Sequence, residues 1–236
     1  MDKNEVLAWL KRRGTRRNVE GLARYGIKAR RPLGVPMGTL QSLSKRLGKN
    51  HALALALWKS GWYEARLLAA LVDDPKQVTR KQMDVWAVGF ENWGDCDTVC
   101  FTLFDRTPFA WEKVRRWAAS PREFVKRAAF ALLASLALHD KTAPDAQFRP
   151  LLPLIEKGAR DDRNFVKKGV SWALRGVGRR NLALNAAALT VARRLAQSKE
   201  AAPRWVGKDA LRDLTRPKVR SRLARRTRGK PERAGR

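Results

Sequence analysis

The stretch Glu91–Cys100, ENWGDCDTVC, brings an indole, two aspartates and two thiols together in ten residues of a strongly basic chain. Trp93 and Asp97 stand four apart, so a helix puts them on one face, while Asp95 points elsewhere. Arg127 and Trp172 lie further along, on two segments that resemble each other. These four residues suit one kind of chemistry. A guanidinium fork grips two phosphate oxygens. Indole faces lie against a sugar or a cationic base. A lone carboxylate among arginines stays ionised, because neighbouring positive charge lowers its pKa. Cleaving a glycosidic bond makes the sugar oxocarbenium-like, and fixed negative charge aimed at that sugar stabilises the transition state. The same residues also fit plainer roles: Trp93 in a core, Asp97 paired with an interior arginine, and Arg127 in an ion pair or on a phosphate.

Other chemistries find little support. The sequence has no Gly-x-Ser-x-Gly, no Cys–His pair and no phosphate-cradling glycine loop. Lysines are plentiful, but none stands out as the nucleophile of a lyase. Cys96 and Cys100 share a helix face, yet the only histidines, His51 and His139, are distant in sequence, which is too few ligands for a zinc site. We expect two buried thiols, no metal and no cofactor.

The elements that must position these residues read as helices. Period-2 alternation and Asn-Gly hairpins are missing. In VPMGTLQSLSKRLG, Leu40, Leu43 and Leu47 share a face and Gly48 is a stop signal. Ser120, Pro121 and Glu123 spell an N-cap, a first-turn proline and a capping-box acid. Residues 179–198 form another amphipathic run. We expect roughly a dozen helices with short connections. Residues 123–133, EFVKRAAFALL, align without gaps on residues 164–174, NFVKKGVSWAL, at an offset of 41. A weaker echo, YEARLLAALV, covers residues 63–72 and carries Arg66 at the basic position. This spacing is that of HEAT and armadillo arrays. The expected fold is therefore an all-α, HEAT-like helical repeat solenoid. Its concave basic face would track a phosphate backbone.

Lys and Arg number 51 against 22 Asp and Glu in 236 residues, a formal net charge of +29. That balance is the footprint of a polyanion binder, most often of nucleic acid. No apolar run reaches membrane-spanning length, and the N-terminus lacks the core of a signal peptide. We therefore expect a monomer in the cytoplasm, associated with the nucleoid and not with a membrane. Residues 1–214 read as one repeat domain. Residues 215–236 carry ten basic residues and the single acid Glu232, and read as a disordered basic tail.

The order and spacing of these motifs resemble the AlkD family of bacterial DNA alkylation repair glycosylases over roughly residues 20–214. GLARYGIKARRPLGV is similar to the family's N-terminal region, and NWGDCD to its Trp-x-x-x-Asp segment. FVKRAAFALL and FVKKGVSWALR resemble the helices bearing its arginine and second tryptophan, and RWVGKDALRDL resembles its last helix. The resemblance implies a monofunctional, metal-free hydrolase. It would cleave the N-glycosidic bond of cationic N3- or N7-alkylated purines in duplex DNA, without flipping the base. It implies Asp97, Trp93 and Trp172 at the lesion, with Arg127, Tyr25, Lys168 and Arg175 as DNA contacts. Two features depart from the family pattern. Gly94 follows the tryptophan where the family carries an acid, which leaves a register favouring Asp95 open. The loop GVPMGT, residues 34–39, lacks the polar residues expected beside DNA. The alternative is a repeat protein that binds structured DNA, or RNA, without excising bases.

Overall fold

The computed structural model describes residues 1–228. They form fifteen α-helices and two short 3-10 helices, with no strand among the described residues. In chain order these are α1 (Lys3–Arg13), α2 (Arg16–Arg24), α3 (Met37–Leu47), α4 (His51–Lys59), α5 (Tyr63–Val72), α6 (Arg80–Val88), α7 (Trp93–Thr102), α8 (Ala110–Trp117), α9 (Glu123–His139), α10 (Asp145–Phe148), α11 (Leu152–Gly158), α12 (Asn164–Gly178), α13 (Leu182–Ala196), α14 (Ala201–Leu214) and α15 (Pro217–Arg228). They cluster into two compact units, Met1–Ala110 and the chain from Trp111 onward. The change of unit has no composition signal, and the sequence alone reads residues 1–214 as one domain.

Helix starts follow from local chemistry. Asp2 and Glu5 close a capping box on α1. Thr15, Asn50, Thr79 and Asn181 each accept an orphan amide at the head of α2, α4, α6 and α13. Each such cap contributes about 1 kcal/mol. As the pattern predicts, α3 buries Leu40 and Leu43 and stops at Gly48, whose φ is +68°. The start of α9 differs from expectation. The helix begins at Glu123, Arg122 is its N-cap residue, and the Ser120 hydroxyl accepts only the Arg122 amide at 3.2 Å. The Ser-Pro pair thus shapes the turn before the helix and does not cap it.

In the first unit α5 is the central element, with α3, α4 and α7 packed on it. Trp58 and Trp86 stack with centroids 4.2 Å apart, and Phe90 and Phe104 complete that aromatic cluster. Cys96 and Cys100 are both fully buried. The buried Glu64 carboxylate accepts the amides of Leu33, Gly34 and Val35 at 2.7, 2.6 and 3.3 Å. That bond set explains why the loop at residue 34 lacks polar side chains: its amides are satisfied from α5.

In the second unit α9 is apolar almost all round, and it is buried from Val125 to Ala137 apart from Lys126. The two similar segments lie side by side and in register. The ring of Phe124 on α9 sits 5.6 Å from that of Phe165 on α12. Towards the other end, a Cβ on Gly176 would lie 3.3 Å from the Ala134 Cα. Phe124 and Phe165, equivalent at the offset of 41, are thus spatial neighbours, and Gly176 and Ala134 meet one residue from that register, as stacked repeats allow. Asp161 clasps the two helices, accepting from Lys126 Nζ at 2.9 Å and from Arg163 Nη2 at 2.6 Å. The tail expectation needs correcting: Pro217–Arg228 is helical. Val219 and Leu223, four apart, face inward, and α15 packs on α13 and α14. Two apolar residues at helical spacing suffice to dock a segment that composition alone marks as coreless. The rest of that tail, residues 229–236, lies outside the described residues.

Candidate functional site

The sequence-predicted residues divide between the units. Tyr25, Trp93 and Asp97 belong to the first, and Arg127, Lys168, Trp172 and Arg175 to the second.

In the first unit the site is built on the head of α7. Asn92 is its N-cap and Asp95 completes a capping box. Asn92 Oδ1 accepts the amides of Gly94 and Asp95, and Asp95 accepts those of Glu91, Asn92 and Cys96. Asp95 is 1% exposed. Burial pushes its carboxyl up to about 7, against the three amides and the Arg66 guanidinium, which favour the ionised form. The register question left by the sequence thus has a structural side: Asp95 belongs to the helix cap. The Asn92-x-x-Asp95 pattern was the available sign of this.

Gly94, the departure from the family pattern, is required by packing. A Cβ there would lie 2.4 Å from the Tyr63 hydroxyl and 3.0 Å from Asn92 Oδ1. Residues 91–93 also hold the segment after α2. Glu91 accepts the Arg30 amide at 3.0 Å, Asn92 Nδ2 donates to the Lys28 carbonyl at 3.3 Å, and Trp93 Nε1 donates to the Tyr25 carbonyl at 2.9 Å. Arg66, from the repeat echo, donates to Glu91 at 3.2 Å and lies 5.1 Å over the Trp58 ring. Glu91 and Glu64 therefore shape this region, although sequence reasoning singled out neither. Their partners lie 25 to 61 residues away, beyond any local pattern. Trp93 and Asp97 are both half-buried, one turn apart on α7, and Tyr25 is 70% exposed.

In the second unit Arg127 is 6% exposed, and its Nη1 donates to the Phe165 carbonyl at 2.6 Å. It is the least accessible of the expected DNA contacts. On α12, Lys168 is exposed, and Trp172 and Arg175 are half-buried. Arg175 Nε lies 3.5 Å from Asp209, which also accepts the Ser171 hydroxyl at 2.6 Å. Nearby, Trp205 on α14 is 38% exposed, with Lys167 5.4 Å over its ring. It adds an accessible indole that sequence reasoning did not select.

The DNA alkylation repair enzyme family matches residues 6–214, and the chain belongs to that family. No curated protein matches it. A solved structure described as "a new family of proteins related to the HEAT-like repeat DNA glycosylases with affinity for branched DNA structures" matches with a TM-score of 0.76. Its sequence is 21% identical, and the match covers 94% of this chain and 96% of that one. The fold is thus HEAT-like and all-α, as the repeat spacing implies. Two designed armadillo repeat proteins, one bound to a (KR)4 peptide, have TM-scores of 0.36 and 0.33. Their identities are 14% and 15%, covering 75% of this chain and 92% of each of theirs.

Proposed function

We propose that the protein is a monofunctional glycosylase that hydrolyses the N-glycosidic bond of cationic N3- and N7-alkylated purines in duplex DNA. The observation that carries this reading is the pairing of Trp93 and Asp97 in a chain of the DNA alkylation repair family. They are half-buried residues one turn apart on a helix whose start is fixed by the Asn92–Asp95 box. Asp97 supplies fixed negative charge to the oxocarbenium-like sugar and orders the attacking water. Asp95, enclosed by three amides, does not serve that purpose. Trp93 packs on the lesion's deoxyribose, and Trp172 offers the sugar–phosphate backbone a second indole face. Tyr25, Lys168, Arg175 and the Phe165-anchored Arg127 contact the backbone. An alkylated purine already carries the positive charge that makes it a good leaving group. It needs no general acid and no extrusion into a pocket, unlike the neutral bases handled by flipping enzymes.

The test is release of free base by the purified protein. Methylated duplex should yield 7-methylguanine and 3-methyladenine, while matched duplexes with uracil or hypoxanthine should yield nothing. Efficient release of a neutral base would contradict the mechanism. Tight binding to branched or methylated DNA with no base released would replace it with a structure-binding role.

A further inference from the structure

We propose that α15 is a docked phosphate-binding helix that extends the protein's grip on duplex DNA beyond the family's repeat region. The inference rests on DNA being the partner. The family match ends at residue 214, and α15 follows it. Its inward side is taken up: Leu223 is 1% exposed and Val219 half-buried, on a helix packed against α13 and α14. Lys218, Arg222 and Arg225 are exposed at i, i+4 and i+7, a single stripe, with Arg220 on the opposite flank. From Lys218 to Arg225 the stripe runs about 10 Å, at about 1.5 Å per residue. Measured along the duplex axis, that length holds about three charges of each strand, at one per about 3.4 Å.

The charge on this stripe is uncompensated. The sequence has no acid from Arg216 to Arg228. Among the described residues no ion pair is formed by Lys218, Arg222 or Arg225, whereas Arg163, Arg175, Arg179, Arg194 and Arg212 of the same unit each have a carboxylate partner. Like charges at i,i+4 destabilise a helix, and a cation in the first turn opposes the macrodipole. A helix that accepts both penalties on its exposed face gains when a polyanion covers it. Duplex DNA fits better than an anionic membrane, because the apolar face that would enter a bilayer already packs on α13 and α14.

The full chain and a Lys218→Gln/Arg222→Gln/Arg225→Gln variant are compared for binding unmodified duplex across a salt series, with unfolding midpoints checked first. Each lost phosphate contact removes about 0.9 from the slope of log affinity against log salt. The triple variant should therefore flatten the slope by about 2–3 units, and Arg222→Gln should flatten it more than Arg220→Gln. An unchanged slope in the triple variant overturns the proposal. Equal effects of Arg220→Gln and Arg222→Gln would show a floating arm and also overturn it. So would loss of binding to phosphatidylserine vesicles with DNA binding intact. Base release by the wild-type chain is scored separately. A slope that depends on α15 in a protein that frees no base upholds this inference and removes only the glycosylase activity.

Discussion

The indole N–H of Trp93 donates to the main-chain carbonyl of Tyr25 at 2.9 Å, joining residues 68 apart in sequence. Because the acceptor is backbone, the bond fixes the indole and the turn after α2 whatever side chain residue 25 carries. Glu91 and Asn92 hold the same segment, so the head of α7 and residues 25–30 form one ordered surface. This linkage makes the two roles separable. Trp93→Phe should raise amide exchange over residues 25–30 by a few-fold to about tenfold, the loss of one bond of about 0.5–1.5 kcal/mol. Tyr25→Ala should leave that exchange near wild type while weakening DNA binding. Equal exchange in all three proteins would show that the bond does not hold the segment.

Gly94→Ala should destabilise the protein, although alanine normally improves a helix by about 0.5–1 kcal/mol. The added Cβ would meet the buried Tyr63 hydroxyl at 2.4 Å. Overpacking of this kind costs about 1–3 kcal/mol. In the double variant Gly94→Ala/Tyr63→Phe, chemical denaturation should show part of that loss restored. Additive losses would place the clash elsewhere.

How much of this was legible in the sequence depended on the range of the interaction. The repeat was visible because helix periodicity and the offset between residues 123–133 and 164–174 are local patterns, and Phe124 and Phe165 do lie side by side. The family resemblance followed from the order of those same patterns. The Asn92–Asp95 box was equally local, but the sequence does not show that the Asp95 carboxylate accepts three main-chain amides. Glu64 on the residue 33–35 amides and Glu91 on Arg30 depend on how helices meet, which no window of sequence contains. The helix at Pro217–Arg228 was missed because its two inward residues are outnumbered by arginines.

The Asp161 clasp predicts a pH dependence. Its hydrogen bonds from Arg163, and then the Lys126 ammonium, hold the Asp161 carboxyl well below the usual carboxylate range. A depressed folded-state pKa contributes stability that is present above the unfolded value, about 3.9, and is lost as pH falls through the folded value. Asp161→Asn should therefore cost about 1–3 kcal/mol at neutral pH. The gap to wild type in urea unfolding should narrow as the solution is acidified below about pH 4. A gap independent of pH would mean that packing alone, and no charge, is lost.

The central claim is that Asp97 is the charge that stabilises the sugar as the bond breaks. Asp97→Asn keeps the shape of the side chain and removes its charge, and it leaves the Asn92–Asp95 cap untouched. Under single-turnover conditions on duplex containing 7-methylguanine, base release should fall by about 10²- to 10³-fold, the usual cost of one well-placed electrostatic contact. Affinity for the same duplex should hold or rise, since a charge repelling phosphate is gone. A variant that releases 7-methylguanine at the wild-type rate would contradict the account.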